Sequence, residues 1–174
     1  MLDKLIDLLL QFIDDITPFV VIPHYDRGVR LRFGKQVSAA LEPGFYWKVP
    51  FADNILTIQV KMTTMSLAEQ TVTTKDGQSM VVKCIIKYEI EDAAMVLLEM
   101  NDPIDSISDM AKGIIRKELV LLDWKDCNNE EIEAKIKRKV KAEAKKWGIS
   151  ISEVTLTDLG LMRSIRILNS VDSI

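Results

Sequence analysis

The chain has a single histidine and two cysteines among its 174 residues, so acid–base, nucleophilic or metal chemistry has few places to start. His24 is the side chain best suited to moving a proton near neutral pH. It stands between Pro23 and Tyr25 at an expected strand end, without a second histidine, a Cys-x-x-Cys or an acidic pair at ligand spacing. A zinc site needs three or four such donors, so no metal is expected. Cys84 and Cys127 are too few and too far apart for a disulfide framework, and they imply a reducing compartment. Asp76 could pass for a general acid, but Gly77 follows it and marks a turn. No nucleophile elbow, phosphate loop or dinucleotide fingerprint occurs. The expectation is a chain with no catalytic residue, no metal and no cofactor.

The elements around these residues are strand-rich at first. "FVVIPHYDRGVRLRFGK" reads as an extended segment, a turn around Asp26-Arg27-Gly28 and a strand from Val29 to Phe33, with Arg30 and Arg32 alternating against apolar neighbours. In "LEPGFYWKVPF", Pro43-Gly44 suits a turn with positive φ at the glycine. Phe45, Tyr46 and Trp47 are then expected to fold back over the end of a sheet, with packing as their role and an aromatic binding cage as the alternative. Leu56, Ile58, Val60 and Met62 alternate with polar residues. In "TVTTKDGQSMVVKCIIKYEI", Asp76-Gly77 predicts a type I′ hairpin. Its second arm turns Met80, Val82, Cys84, Ile86, Tyr88 and Ile90 to one face, which makes Cys84 a core thiol.

Helices follow. Asp102-Pro103 has the form of an N-cap with proline at the first helical position. Behind it Ile104, Ile107, Met110, Ala111, Ile114, Ile115, Leu119 and Leu122 recur at helical spacing. Asn128 or Asn129 caps a second helix that runs to Trp147, with Gly148 as its stop. Ile132, Ile136, Val140 and Trp147 form its buried stripe. Its many lysines, with Arg138, spread over the rest of the circle as a solvated face rather than a nucleic-acid groove. "ISISEVTLTDL" is a strand with a bend near Ser152-Glu153, and it must return to a sheet built earlier. Residues 161–174 begin one more helix.

The N-terminus carries the one segment that asks for something outside the fold. Residues 2–16 placed on a helical wheel put Asp3, Lys4, Asp7, Gln11, Asp14 and Asp15 in an arc about 120° wide. Leu2, Leu5, Ile6, Leu9, Leu10, Phe12, Ile13 and Ile16, with Leu8, fill the remainder, and Thr17-Pro18 ends the helix. No run approaches the roughly 20 apolar residues of a membrane span, and no signal peptide is evident. The segment is expected to lie in the plane of a lipid interface or to pack on its own domain or a neighbouring subunit. The formal charge of −3 gives no overall pull toward nucleic acid or anionic lipid.

Four stretches, "RGVRLRFGK" (27–35), "LEPGFYWKVPF" (41–51), "TVTTKDGQSMVVKCIIKYEI" (71–90) and "WGISISEVTLTDL" (147–159), stand in an order that resembles the SPFH superfamily, the band 7 group of stomatins, prohibitins and flotillins. The resemblance implies an α+β fold over 18–160, with a strand-rich part over about 18–75 and a helix-on-sheet part over about 76–160, after an amphipathic helix at 1–17. It implies a non-enzymatic, self-associating membrane scaffold on the cytoplasmic side, with lipid, further copies, and membrane proteases or other membrane proteins as partners. The segment before the domain is the family's membrane attachment, which here corresponds to Leu2–Ile16 and extends toward Phe19–Ile22. Two departures from the family are the absence of a long coiled coil after the last strand and a surface helix in place of a spanning anchor. A short bacterial or phage-encoded form fits both. The alternative is a soluble homo-oligomeric interaction module whose N-terminal helix packs on a neighbouring subunit or host protein.

Overall fold

The computed structural model describes residues 18–38 and 40–162. The expected N-terminal helix and C-terminal helix start lie outside the described residues, except that the last strand extends to Leu161. The architecture is α+β, as the sequence predicts.

The largest sheet is organised by β8 (Ser79–Ile90), whose burial alternates along its whole length. β6 (Thr63–Ser66) and β7 (Gln70–Thr73) follow each other along one edge of β8, and β9 (Ile149–Leu161) runs antiparallel along the other. Met80, Val82, Cys84, Ile86, Tyr88 and Ile90 point to a single face, as the period-2 pattern requires. That face is closed by α1 (Ala93–Glu99), α2 (Pro103–Leu119), the single turn α3 (Trp124–Cys127) and α4 (Glu130–Lys145), which contribute Val96, Ile107, Ala111, Ile115, Leu119, Cys127, Ile136 and Val140. Burial pushes the Cys84 thiol up to about 11, and it pushes Cys127 up as well, so neither is a ready thiolate.

The helix ends follow local chemistry. Asp102 accepts the amide of Asp105 at 3.2 Å with Pro103 behind it, and Asn129, the second of the two candidate caps, accepts that of Glu131 at 3.1 Å. Gly148 ends the α4 region with φ +73°, and a Cβ there would lie 2.8 Å from Asp92 Cβ. Its carbonyl accepts from the amides of Glu91 and Asp92, joining the end of α4 to the start of α1. β9 carries the expected bulge at Ser152 and a second, unforeseen one at Thr157.

The first third of the chain forms two small sheets. β1 (Phe19–Ile22) pairs with β4 (Gly44–Trp47), and β2 (Asp26–Arg32) stands between β3 (Lys35–Gln36) and β5 (Asp53–Gln59). α1 touches β2 and β5, and Ile58 and Val60 reach the main core, so the small sheets dock on the large one.

Several local expectations need correction. The first turn falls at Pro23–Tyr25, because Asp26–Gly28 already pair with β5. Gly44 opens β4 at φ +155°, not at the about +80° of the expected turn. The type I′ geometry belongs to Phe33–Gly34, with φ +50° and +77° between the paired Arg32 and Lys35. At Asp76–Gly77 only the glycine has positive φ, and the hairpin closes through a longer loop in which Thr74 and Gln78 bond. Of the α2 stripe, Ile104 is exposed rather than buried.

Candidate functional site

The hydrophobic residues that do not reach the core gather on the small sheets. In the β1–β4 ladder Phe19 faces Trp47 and Val21 faces Phe45, so pleating turns all four to one side. That side is open, with Phe19 47%, Val21 64%, Phe45 65% and Trp47 64% exposed. The Phe19 and Phe45 rings stack at 5.6 Å between centroids. The opposite side carries Val20, Tyr46 and the buried Ile22. A Cβ at Gly28 would stand 2.8 Å from Ile22 Cδ1, so the absent side chain gives β1 its seat on β2. Phe45 and Trp47 therefore do not cover a sheet, as the sequence reading expected. Only Tyr46 turns inward, donating its hydroxyl to the Glu42 carbonyl at 2.9 Å.

Two more exposed phenylalanines line a common hollow with Lys48, the residue after Trp47. Phe33 lies at the tip of the β2–β3 turn and Phe51 in the β4–β5 loop, each 80% exposed. Both have left-handed backbones, at φ +50° and +63°, and they are the non-glycine residues with positive φ among those described. Such a conformation costs a side-chain-bearing residue roughly 1–2 kcal/mol and persists only where the surroundings enforce it. Here Arg32 grips Asp53 through two hydrogen bonds of 2.6 and 3.0 Å, and Asp53 also accepts the Val49 amide at 3.0 Å. The Phe33 amide donates to the Ala52 carbonyl at 2.9 Å, tying one tip to the other. The Arg32 bonds, and after them the Val49 amide, hold the Asp53 carboxyl at about 2.

The residues first considered for chemistry are placed apart. His24 is exposed in the β1–β2 turn, edge-on to Tyr25 at 5.4 Å. Asp76 accepts from the Thr74 hydroxyl and from the Trp124 amide at 3.3 Å, so it anchors the start of α3. Among the described residues no three His, Cys, Asp or Glu side chains are grouped to hold a metal ion. No described helix is long and apolar enough to cross a membrane. Leu2, Leu5, Ile6, Leu9, Leu10, Phe12, Ile13 and Ile16 lie outside the described residues. Their segment continues through Thr17 and Pro18 into β1, the strand that carries Phe19 and Val21.

The SPFH domain / Band 7 family matches residues 20–167. The chain belongs to that family. Its Band 7 relatives include an uncharacterized protein of Archaeoglobus fulgidus, 25% identical over 148 residues that make up 84% of this chain and 59% of the relative. Stomatin-1 of Caenorhabditis elegans is 22% identical over 143 residues, 81% of this chain and 43% of its own. Protein HflK of Haemophilus influenzae is 27% identical over 101 residues, 58% of this chain and 24% of its own. The matched region is thus less than two thirds of each relative. The match covers the ribbon from Val20 onward, both phenylalanine tips and the entire large sheet.

Sequence reasoning puts the outward contact on residues 2–16, outside the described residues, and toward Phe19–Ile22. It gives Phe45 and Trp47 a packing role with a binding cage as the alternative, and does not single out Phe33 and Phe51. The available signal was "FVVI", a strand with no polar residue on either face. A strand at the margin of a small domain cannot bury both sides.

Proposed function

We propose that this Band 7 protein is a non-enzymatic scaffold that lies on the cytoplasmic surface of a membrane, self-associates there and organises membrane-protein partners. The observation that carries the reading is the outward aromatic side of the β1–β4 ribbon. Full burial of a large apolar side chain is worth roughly 1.5–3 kcal/mol, and these side chains forgo about half of that in water. An aromatic surface of this kind suits the boundary between headgroups and acyl chains, where Trp and Tyr concentrate. In this reading the oily face expected of residues 2–16, which precede the same strand in the chain, joins the ribbon in one two-part contact. Family membership supports the same reading.

Vesicle flotation tests it with three proteins: the full chain, the chain beginning at Pro18, and the full chain with Phe45→Glu and Trp47→Glu. The full chain is expected to float, and each altered protein to float less. Equal flotation of all three would remove the anchoring claim. A discrete lipid-free oligomer that dissociates on Leu9→Asp or Phe12→Asp would favour the soluble interaction module instead.

A further inference from the structure

The near-neutral balance of the chain conceals a segregation of charge. Residues 89–109 contain seven acids and no lysine or arginine, whereas residues 135–146 contain seven bases and one acid, Glu143. Some of these charges are used internally. Lys135 and Lys139 converge on Glu118, whose side chain is only 6% exposed between α2 and α4, and Lys146 pairs with Glu143. Asp92 and Asp102 cap α1 and α2, and Asp109 pairs with Lys112.

What remains falls into two groups of opposite sign, one on α4 and one at the junction of α1 and α2. Arg138, Lys141 and Lys145 are exposed, have no ion-pair partner among the described residues, and fall within about 60° of arc on α4. Exposed Ala134 lies in the same arc, so a partner backbone can come close. Glu91 lines the same hollow as Lys141 and Lys145 without pairing with either. In the other group, Glu99 and Asp105 are exposed and likewise unpaired among the described residues. Each directly follows an exposed large apolar residue in the chain, Leu98 and Ile104. An apolar centre with a charged margin is the usual composition of a protein–protein contact.

We infer that the Arg138–Lys141–Lys145 stripe of one copy seats on the Leu98–Asp105 surface of a neighbouring copy. This rests on the self-association in the proposed function and supplies its contact. The favoured occupant is a second copy because the chain itself presents the complementary charge beside an apolar anchor. Complementary charge sets the partner and register of such a contact. The two patches are unlike, and contacts of that kind close rings or extend rows.

The test uses the full chain bound to neutral phosphatidylcholine vesicles, as an equal mixture of isotope-labelled and unlabelled protein. A carbodiimide joins lysines to carboxylates that lie in direct contact. Peptides linking Lys141 or Lys145 to Glu99 or Asp105, with mixed labels, are expected at about 50 mM salt and are lost by about 500 mM. Arg138→Glu, which leaves both lysines able to react, should lower the yield of these peptides about tenfold or more without reducing flotation. Mixing a Lys141→Glu, Lys145→Glu protein with the Glu99→Lys, Asp105→Lys variant should give mixed-label links both between the two intact sides and, with the chemistry reversed, between the two altered sides. The two variants disable opposite sides, so these links also guard against misfolding of either one. Flotation without mixed-label links at these residues overturns the proposed contact while leaving the membrane reading intact. Failure to float identifies the membrane reading as the one at fault, and the same cross-linking in solution then decides the contact. If charge reversal weakens flotation on anionic vesicles and mixed-label links never form, the stripe is a headgroup contact and the inference is wrong.

Discussion

In the large sheet, β8 turns Met80 through Ile90 inward under α1, α2 and α4, whereas in the β1–β4 ribbon the same pleat turns Phe19, Val21, Phe45 and Trp47 toward solvent. A second contrast accompanies the first. The large part places glycine where the backbone must be left-handed against a neighbour, at Gly148, while the small part places phenylalanine in that conformation at Phe33 and Phe51. One part of the chain is built for its own stability. The other holds two aromatic residues in a strained backbone and leaves its rings exposed, which in the proposed reading serves a contact beyond the described residues.

The comparison is most open to attack where the effects are largest. Ile86→Ala, at a fully buried position, should cost about 2–5 kcal/mol in a denaturant titration. Trp47→Ala should stay within about 0.5 kcal/mol of the parent and lower vesicle binding instead. A Trp47→Ala loss as large as that of Ile86→Ala would mean the ribbon has a core after all. Gly148→Ala forces a Cβ against Asp92 at positive φ and should cost roughly 1–3 kcal/mol. Phe51→Gly runs the other way. Relief of the left-handed strain exceeds the added chain entropy, so stability should rise by about 0.5 kcal/mol while binding to vesicles falls.

The smallest expected effect is on acid stability. Arg32 holds Asp53 below its ordinary value, and Lys139 and Lys135 hold Glu118 below its own. Each group therefore stabilises the fold fully above its unfolded value, near pH 4, and loses that contribution as pH falls through the folded value, about 2 for Asp53. Unfolding midpoints measured from about pH 5 to about pH 2 should fall less steeply for Asp53→Asn than for the parent.

Much of the large part was legible because one side of each element is polar. The β8 alternation, the Asp102-Pro103 start, the Gly148 stop and the bulge at Ser152 all follow from period, cap and breaker residues. The ribbon was not legible for the reciprocal reason. "FVVI" and "GFYW" are apolar on both faces, so their period cannot say which face is inside, and that is settled by Ile22 fitting against Gly28. The type I′ turn at Phe33–Gly34 contradicts local preference, which favours Asn-Gly or Asp-Gly. The Arg32–Asp53 pair, separated by 21 residues, enforces it from outside the turn. Asp76 shows the same limit, since its bond to the Trp124 amide crosses 48 residues and leaves no local trace.

The central claim is that the outward side of the ribbon rests in lipid. Trp47 reports on it directly in a protein whose other two tryptophans are replaced, Trp124→Phe and Trp147→Phe. On vesicles containing lipids brominated along the acyl chain, Trp47 emission should shift to the blue and be quenched, and Phe19→Ser with Phe45→Ser should reduce both changes. Emission that stays unshifted and unquenched while the protein floats with the vesicles would contradict the account.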